Sequence, residues 1–316
     1  MSSIKTNVAA MTALQSLTQT NKMLTQTQNH ISTGLRVAEA SDNAAYWSIA
    51  TTMKSDKASL STVQDALGLG ASMVDVTYTA MNSAIDVVNS IKSKLVAASE
   101  PGVDKAKIQT EIAQLQKQLK GIADSASFSG QNWLSIDSSA AGFSATRSVV
   151  SSFNRSGSAV SVQTMDIDTS GMDLFDANPA ATDAAGGILD SNRKADGSID
   201  NTATTWSIAN LDISALTDST TDVATLNSYI SGADAAMKEM TDAASSLGAV
   251  KSRIGLQQSF VKSLMDALDR GVGTLIDADM NEESTKLQAL QVQQQLGVQA
   301  LSIANFSTQS ILKLFQ

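Results

Sequence analysis

The stretch that decides the fold is residues 42–98, DNAAYWSIATTMKSDKASLSTVQDALGLGASMVDVTYTAMNSAIDVVNSIKSKLVAA. Its larger apolar side chains recur at steps of three, four and seven residues, which keeps them on one side of an α-helix. At 1.5 Å per residue such a helix is roughly 80 Å long, so we expect it to pack along other long helices. These apolar residues are Met53, Leu60, Val63, Leu67, Val74, Tyr78, Met81, Ile85, Val88 and Leu95.

Both ends of this helix carry boundary signals. Asp42 and Asn43 are preferred N-cap residues, and Pro101 followed by Gly102 ends the helix. Asp104 then predicts the start of a second helix, which the short connection makes antiparallel to the first. The apolar residues of the second helix alternate at steps of four and three: Ile108, Ile112, Leu115, Leu119 and Ile122.

Another long helix is predicted over residues 222–272, where the same apolar spacing returns. Two helices of similar length, joined through a middle segment, fold naturally as an antiparallel bundle. We therefore predict that their apolar residues pack against one another as a rod. The predicted rod-packing residues are Leu60, Leu67, Val74, Met81, Val88, Ile112, Leu119, Leu226, Met237, Leu247, Ile254 and Leu264.

The two chain ends are poor in charge. Lys22 is the only charged residue in 6–35, and residues 287–312 contain none. A helix that stands alone in water normally carries ion pairs, and burial of a few large side chains barely offsets the entropy of ordering about 30 residues. We predict that the two ends pair with each other and become ordered only among neighbouring copies. The predicted assembly residues are Ile4, Val8, Met11, Leu14, Leu17, Leu24, Ile31, Leu287, Leu290, Leu296, Leu301, Ile303, Ile311 and Leu312.

The middle of the chain is acidic and differs from both ends. Residues 166–222 contain eleven Asp and no Glu, opposed by Arg193 and Lys194, and so carry a net charge of −9. That value equals the formal charge of the whole chain. We expect this region to be a small, surface-exposed insert.

Alternating β-branched residues predict a β-hairpin just before the acidic region. Its strands are residues 146–153 and 159–167, and its turn is residues 154–157. Short strands such as residues 206–213 are expected among loops further on. The predicted fold is therefore mainly α, a long antiparallel helical bundle or coiled coil formed by both chain ends, with a small β-rich insert in the middle.

Composition excludes several classes of function. His30 is the single histidine and there is no cysteine, so no Ser-His-Asp set, Cys-His pair or HExxH zinc site can form. The acidic balance argues against nucleic-acid binding. No apolar run approaches the length of a membrane span. We predict neither an enzyme nor a cofactor, and we interpret His30 as a polar residue on a helix.

Three local motifs have simple structural interpretations. Residues 166–171, DIDTSG, resemble the start of a calcium loop, but the twelfth position is Ala177 instead of Glu, which favours a solvated turn. Glu282 and Glu283 point to different sides of a helix, which favours helix punctuation or a surface ion pair. The GLG at residues 68–70 lies inside the apolar repeat and indicates close helix packing or local bending.

Blocks at both chain ends resemble those of bacterial flagellin, the subunit of the flagellar filament. They cover roughly residues 1–135 and 222–316, and their order along the chain is also that of the family. The N-terminal blocks are IKTN at 4–7, ISTGLRV at 31–37, ASDNAA at 40–45 and QDA at 64–66. The C-terminal blocks are IDADM at 276–280 with Glu282, and the closing segment 304–312.

The resemblance implies a division of the chain into three domains. Residues 1–34 and 283–316 would form a terminal coiled-coil domain lining the filament core. Residues 35–140 and 220–282 would form a helical rod domain with a β-hairpin, and residues 141–219 a small outer acidic β/loop domain.

The resemblance also implies a function, a set of partners and a route of export. The chain would be a structural subunit that self-assembles into a helical homopolymer of identical or similar flagellins for motility. Its other partners would be the flagellar export machinery and a chaperone, together with filament cap and junction proteins. Residues 1–10 lack the basic start and apolar run of a secretory signal, so we expect export to the extracellular filament without a cleaved signal peptide.

Two other functions remain open at this point. A hook–filament junction protein would use the same end helices but would form only short assemblies. A secreted adhesin would instead depend on the acidic insert, and would lose its activity if residues 166–219 were removed.

Overall fold

The computed structural model of the chain describes most of its residues. These are 7–157, 159–178, 186–200 and 206–314, with the backbone alone for 307–314. Of the predicted assembly residues, Ile4 lies outside the described residues, and so do the side chains of Ile311 and Leu312.

Helices dominate the described fold, which confirms the mainly α prediction. They are α1 (Val8–Thr33), α2 (Ala44–Ala98), α3 (Lys105–Ser125), α4 (Thr220–Ile276) and α5 (Met280–Leu314). The strands are β1 (Ser127–Phe128), β2 (Gln131–Asn132), β3 (Ser135–Ile136), β4 (Thr146–Ser156), β5 (Ala159–Asp168) and β6 (Phe175–Asp176). β1 pairs with β2 and β4 with β5 in antiparallel fashion, whereas β3 and β6 are parallel.

The chain divides into two compact units. The end unit consists of Met1–Ala58 and Leu264–Gln316, and the central unit of Ser59–Ser263. Helices α2 and α4 each contribute residues to both units. The three-domain division made from the sequence stays a prediction.

A strict seven-residue repeat organises the helices of the central unit. Side chains spaced by seven residues are at most 2% exposed along α2, α3 and α4, as expected of a coiled-coil seam. Met237, a predicted rod residue, is only half-buried because the repeat passes through Ala233 and Met240. Leu264 is also half-buried and belongs to the end unit. The repeat consists of Leu60, Leu67, Val74, Met81, Val88 and Leu95 on α2, Ile112 and Leu119 on α3, and Leu226, Ala233, Met240, Leu247, Ile254 and Val261 on α4.

Ion pairs define the direction of these helices. Lys92 pairs with Asp234, and Lys251 Nζ lies 2.7 Å from Asp75 Oδ1, so that α2 and α4 run antiparallel. The late α2 residue Lys94 pairs with the early α3 residue Glu111 at 2.5 Å, which makes α3 antiparallel to α2 as well.

Asn43 alone caps α2, which corrects the joint assignment to Asp42 and Asn43. Its side-chain oxygen accepts a hydrogen bond from the Tyr46 amide at 3.1 Å. Asp42 Oδ2 instead accepts from the backbone amides of Ala38 and Glu39, at 3.0 and 3.1 Å. The Asp42 carboxylate therefore closes the turn before the helix, whereas the Asn43 side chain caps the first helical turn.

The middle segment contains the predicted hairpin, but its strands are longer than expected. β4 continues through residues 154–156, which we assigned to the turn, and Gly157 follows with a φ of +64°. The expected strand at 206–213 is wrong, because this stretch contains a turn at 208–210 and no strand pairing. A backbone bond from the Leu211 amide to the Ser207 carbonyl, at 2.9 Å, closes that turn.

The β4–β5 hairpin lies against the long helices of the central unit. A β-carbon built on Gly70 would be 2.6 Å from Val149 Cγ1, so β4 needs a glycine at this point of α2. Gln257 donates to the Ser151 carbonyl at 2.9 Å, and Arg253 to the Asp166 carbonyl at 3.0 Å. The glycine at position 70 thus serves close packing of a strand on the helix, while a β-carbon on Gly68 would meet no atom within 4 Å.

A buried arginine fastens the acidic insert to α4. Arg193 is fully buried, and its guanidinium donates to Glu239 Oε2 at 2.7 Å and to the Ile188 carbonyl at 2.8 Å. On α3, Gln116 donates to the Ile208 carbonyl at 3.1 Å. Parts of the insert are therefore packed core, and the expectation of a wholly surface-exposed segment is too simple.

Candidate assembly surface

The first and last helices pair in the antiparallel sense that the sequence predicts. Asn7 Nδ2 donates to the Ala304 carbonyl at 3.0 Å, and Gln294 Nε2 donates to Asn21 Oδ1 at 2.8 Å. Near the other end of the pair, His30 Nδ1 lies 3.0 Å from Glu283 Oε1. Polar side chains thus make cross-helix hydrogen bonds along the length of α1.

The buried and half-buried positions of these helices follow steps of three and four residues, and we call them the α1–α5 seam. The steps match the heptad of a coiled coil. Close approach is visible at Gly297, where an added β-carbon would be 3.2 Å from Leu17 Cδ1. The seam consists of Ala10, Ala13, Leu17, Thr20, Met23, Leu24, Thr27, His30 and Ile31 on α1, and Glu283, Leu287, Leu290, Gln294, Gly297, Leu301 and Ala304 on α5.

Large apolar side chains lie exposed on the sides of both helices away from this seam. Their exposed fractions are between 54% and 69%, far above those of the rod seam. At 100° per residue each set occupies one side of its helix, and we call them the two apolar stripes. The stripes are Val8, Met11 and Leu14 on α1, and Val292, Leu296, Ile303 and Phe306 on α5.

The predicted assembly residues are therefore placed in two groups. Leu17, Leu24, Ile31, Leu287, Leu290 and Leu301 lie in the seam, where α1 and α5 contact each other. Val8, Met11, Leu14, Leu296 and Ile303 lie in the stripes and face away from it. The sequence prediction did not include Val292 and Phe306, although their spacing from Leu296 places them on the same side of α5.

The most buried side chains of α1 are polar. They are Thr20, Thr27 and His30, whereas Met11 is 61% and Leu14 is 54% exposed. This is the reverse of the usual distribution in a helix of a folded domain. Val8, Met11 and Leu14 of α1 therefore lose little of their apolar surface to contacts inside one chain.

His30 and Glu283 form a buried pair, which corrects the interpretation of Glu283, whereas His30 is a polar residue on a helix as the sequence predicts. Each residue is only 7% exposed, so Glu283 is neither simple helix punctuation nor part of a surface ion pair. Burial raises the pKa of Glu283, but the hydrogen bond from His30 and the charge of Lys286 outweigh it and lower the pKa below its ordinary value. The sequence does contain a signal for this burial. Position 283 precedes Leu287 by four residues and Leu290 by seven, which places all three on the same side of α5.

A short ladder ties the end of α1 to the connection between α4 and α5. Gly34 caps α1 in the left-handed conformation, with a φ of +72°. The Arg36 amide donates to the Ile276 carbonyl at 2.6 Å, and the Ala278 amide to the Gly34 carbonyl at 3.0 Å. A small core of Val37, Ala50 and Ile276 lies beside these bonds.

The segment that resembles a calcium loop forms a local turn. Asp168 Oδ1 accepts from the Ser170 amide at 2.9 Å and from its hydroxyl at 2.6 Å. Within the described part of the chain, no group of three or more His, Asp or Glu side chains is arranged to hold a metal ion. No described helix is long and apolar enough to cross a lipid bilayer.

Comparison with known proteins identifies relatives along the whole chain. Residues 4–139 match the bacterial flagellin N-terminal helical region, and residues 230–315 match the bacterial flagellin C-terminal helical region. Flagellin C of Rhizobium meliloti strain 1021 is 53% identical over 326 aligned positions. Flagellin of Brucella melitensis biotype 1 is 45% identical over 317. Each alignment covers all of both proteins.

Proposed function

The chain belongs to the bacterial flagellin family, and we propose that the apolar stripes of α1 and α5 are the surfaces through which its copies assemble. The protein is a structural subunit of the extracellular flagellar filament and not an enzyme. A junction protein or an adhesin is not favoured, because full-length relatives are named flagellin.

The observation that carries this proposal is the exposure of large apolar side chains on both stripes. Burial of one such apolar side chain contributes roughly 1.5–3 kcal/mol of stabilisation. Within a single chain, however, the buried residues of α1 are two threonines and a histidine. Neighbouring subunits supply the missing cover. The seam residues Leu17, Leu24, Ile31, Leu287, Leu290 and Leu301 hold the two helices together, so that both stripes are presented at once.

The three domains occupy different positions in the proposed filament. Residues 1–34 and 283–316 line the core of the filament as a coiled coil. Residues 35–140 and 220–282 form the surrounding rod layer, and residues 141–219 face outward. The negative charge of the insert supports this last placement, because like charges on neighbouring copies repel least at large radius.

Export and assembly require further partners. The subunit leaves the cell through the flagellar export machinery with a chaperone and without cleavage of a signal peptide. It is then added to the filament in the presence of cap and junction proteins. The terminal helices become ordered at that step, since the contacts that cover their stripes do not exist before it.

Truncation tests the proposal directly. Removal of residues 1–30 or 290–316 should abolish polymerisation on filament seeds, while circular dichroism shows that the rod helices persist. Removal of residues 166–219 is the control, because an outward-facing insert is not needed for assembly of the core. Normal filaments from either terminal truncation would overturn the proposal.

A further inference from the structure

A cavity of about 540 Å³ in the central unit is lined by residues of the acidic insert, of the segment before β4 and of α4. Its volume is within the usual range of pockets that bind small molecules. The acidic residues of the lining are Asp173, Asp176 and Glu239. Its large apolar residues include Ile136, Phe143 and Ile188. The lining is therefore both anionic and apolar.

Asp176 is more than nine-tenths buried and uses only one of its two carboxylate oxygens. The Oδ1 atom accepts hydrogen bonds from the backbone amides of Ser138 and Asn178, at 2.9 and 3.0 Å. The Oδ2 atom is buried and has no hydrogen-bond partner in the described part of the chain. Buried carboxylate oxygens are normally satisfied, so this atom indicates that the cavity accommodates a hydrogen-bond donor.

Two further carboxyl groups lie close to Asp176. Asp190 Oδ2 accepts from the Asp176 amide at 2.8 Å, whereas its Oδ1 atom is buried without a partner among the described residues. Asp173 is only 8% exposed. Burial raises the pKa of Asp173 and that of Asp190 to about 6, and the charge of Asp176 contributes to both. Perturbed carboxyl groups clustered at a cavity are typical of binding sites.

The charge of this cluster has no counterpart in the described structure. Arg193, which is buried in the insert, forms its ion pair with Glu239, at 2.7 Å. Among the described residues, no cation forms an ion pair with Asp173, Asp176 or Asp190. Buried charges are ordinarily paired, because desolvation is costly for a lone ion. A cation inside the cavity would supply the missing positive charge.

The walls of the cavity are held in place by backbone contacts. The Leu174 amide donates to the Leu134 carbonyl at 2.8 Å, and the Ile188 amide donates to the Asp173 carbonyl at 2.9 Å. A β-carbon on Gly187 would be 2.5 Å from the carbonyl carbon of Leu174, so these two segments approach closely. The site is therefore built by the fold of the chain, which lowers the entropic cost of binding a ligand.

We propose that this cavity binds a small organic cation of the amine or amidine class that carries an apolar group. Asp173 and Asp176 hold the positively charged group, and Phe143 and Ile188 contact the apolar part. The site lies within one chain, so a single subunit can bind the cation without the apolar stripes of α1 and α5. Binding of a small molecule is thus an activity separate from filament assembly.

Calorimetric titration of the full chain with benzamidine at pH 7.5 tests the site, and the neutral compound benzamide is the matched control. Benzamidine should bind the unsubstituted chain roughly tenfold more tightly than benzamide or better, because only the cation makes charge-assisted hydrogen bonds to carboxylates. Absence of saturable benzamidine binding below about 10 mM would overturn the proposal. Equal affinity for the two compounds would also overturn it.

Substitutions then locate the binding site. Asp173→Asn and Asp176→Asn preserve the shape of the side chain, and the second retains an oxygen for the amides of Ser138 and Asn178. Each should weaken benzamidine binding by roughly tenfold and leave benzamide binding unchanged. The control is Asp196→Asn, which removes the same charge from an exposed residue of the insert.

Equal weakening by the control would indicate general attraction to an acidic surface and would overturn the assignment to this cavity. Unchanged affinity in both Asp173→Asn and Asp176→Asn would overturn it as well. Circular dichroism checks that each variant is folded. The comparison of benzamidine with benzamide uses the unsubstituted chain, so it stands even if a variant fails to fold.

Discussion

Val149 of β4 occupies the space that a side chain at position 70 of α2 would fill, with its Cγ1 atom 2.6 Å from the position of a β-carbon on Gly70. The hairpin can lie this close to α2 only because one residue of the helix has no side chain. This contact requires glycine at position 70, although the helical pattern alone would favour alanine or leucine there.

Substitution of Gly70 by alanine should destabilise the central unit. Overpacking costs roughly 1–3 kcal/mol, which exceeds the gain of about 1 kcal/mol from better helix propensity. Gly68→Ala is the matched control, because a β-carbon there meets no atom within 4 Å and should stabilise the helix. Urea unfolding followed by circular dichroism measures both. A Gly70→Ala protein as stable as Gly68→Ala would contradict the packing described.

Loss of the Arg193–Glu239 pair should detach the acidic insert from α4. Glu239→Ala leaves the buried Arg193 guanidinium without its carboxylate and should lower the free energy of unfolding by about 3 kcal/mol. Lys194→Ala removes a neighbouring exposed cation and should change the free energy by less than about 0.5 kcal/mol. Limited proteolysis of the insert gives a second measurement, and equal cleavage rates in the two variants would count against the role of Arg193.

The stability of the insert should rise as the pH falls from 7.5 to 5. Burial raises the pKa of Asp173 to about 6, with the neighbouring Asp176 and Asp190 contributing in the same direction. The folded state therefore binds more protons than the unfolded chain in this window, so acidification stabilises it, by on the order of 1–3 kcal/mol. Asp173→Asn should remove much of this pH dependence and stabilise the protein at pH 7.5.

Asp168→Asn is the control for that measurement. Asp168 is exposed, and the hydrogen bonds from Ser170 lower the pKa of its carboxyl below 3.8. Its titration lies outside the window, so the variant should keep the slope of the unsubstituted protein between pH 5 and 7.5. Chemical denaturation at several pH values distinguishes the two variants.

Polar substitution of the α1 stripe should impair assembly without unfolding the subunit. Met11→Gln and Leu14→Gln remove apolar surface that is more than half exposed in one chain. Each should raise the critical concentration for polymerisation by roughly 10–100-fold, the equivalent of about 1.5–3 kcal/mol. Thr18→Ala is the control, because the Thr18 hydroxyl bonds only to the carbonyl of Leu14 in its own helix. An unchanged critical concentration for Leu14→Gln would argue against the stripe as an interface.

The helices could be predicted from the sequence because their signal is long and regular. The repeat through Leu60 and Leu67 on α2 extends over many turns, and the caps at Asp104 and Gly34 mark helix ends by simple chemistry. Family likeness of both chain ends then identified the protein class, which the comparisons confirm.

The parts that sequence reasoning missed depend on contacts between distant segments. Residues 206–213 do not pair as a strand, because α3 glutamines satisfy the carbonyls of Ile208 and Leu211 instead. His30 and Glu283 are separated by most of the chain, so neither suggests the other by local pattern. Their pairing depends on which sides of α1 and α5 meet, and this is visible only once the helices are placed.

The absence of charge from α5 between Leu287 and Phe306 has a consequence for the physical conditions of growth. Contacts made by leucine, valine and glutamine respond little to sodium chloride, which screens ions. They strengthen with sulfate and on warming from the cold, as hydration of apolar surface dictates. Chilled subunits should therefore elongate poorly, and a filament core built this way would hold equally well in fresh and in brackish water.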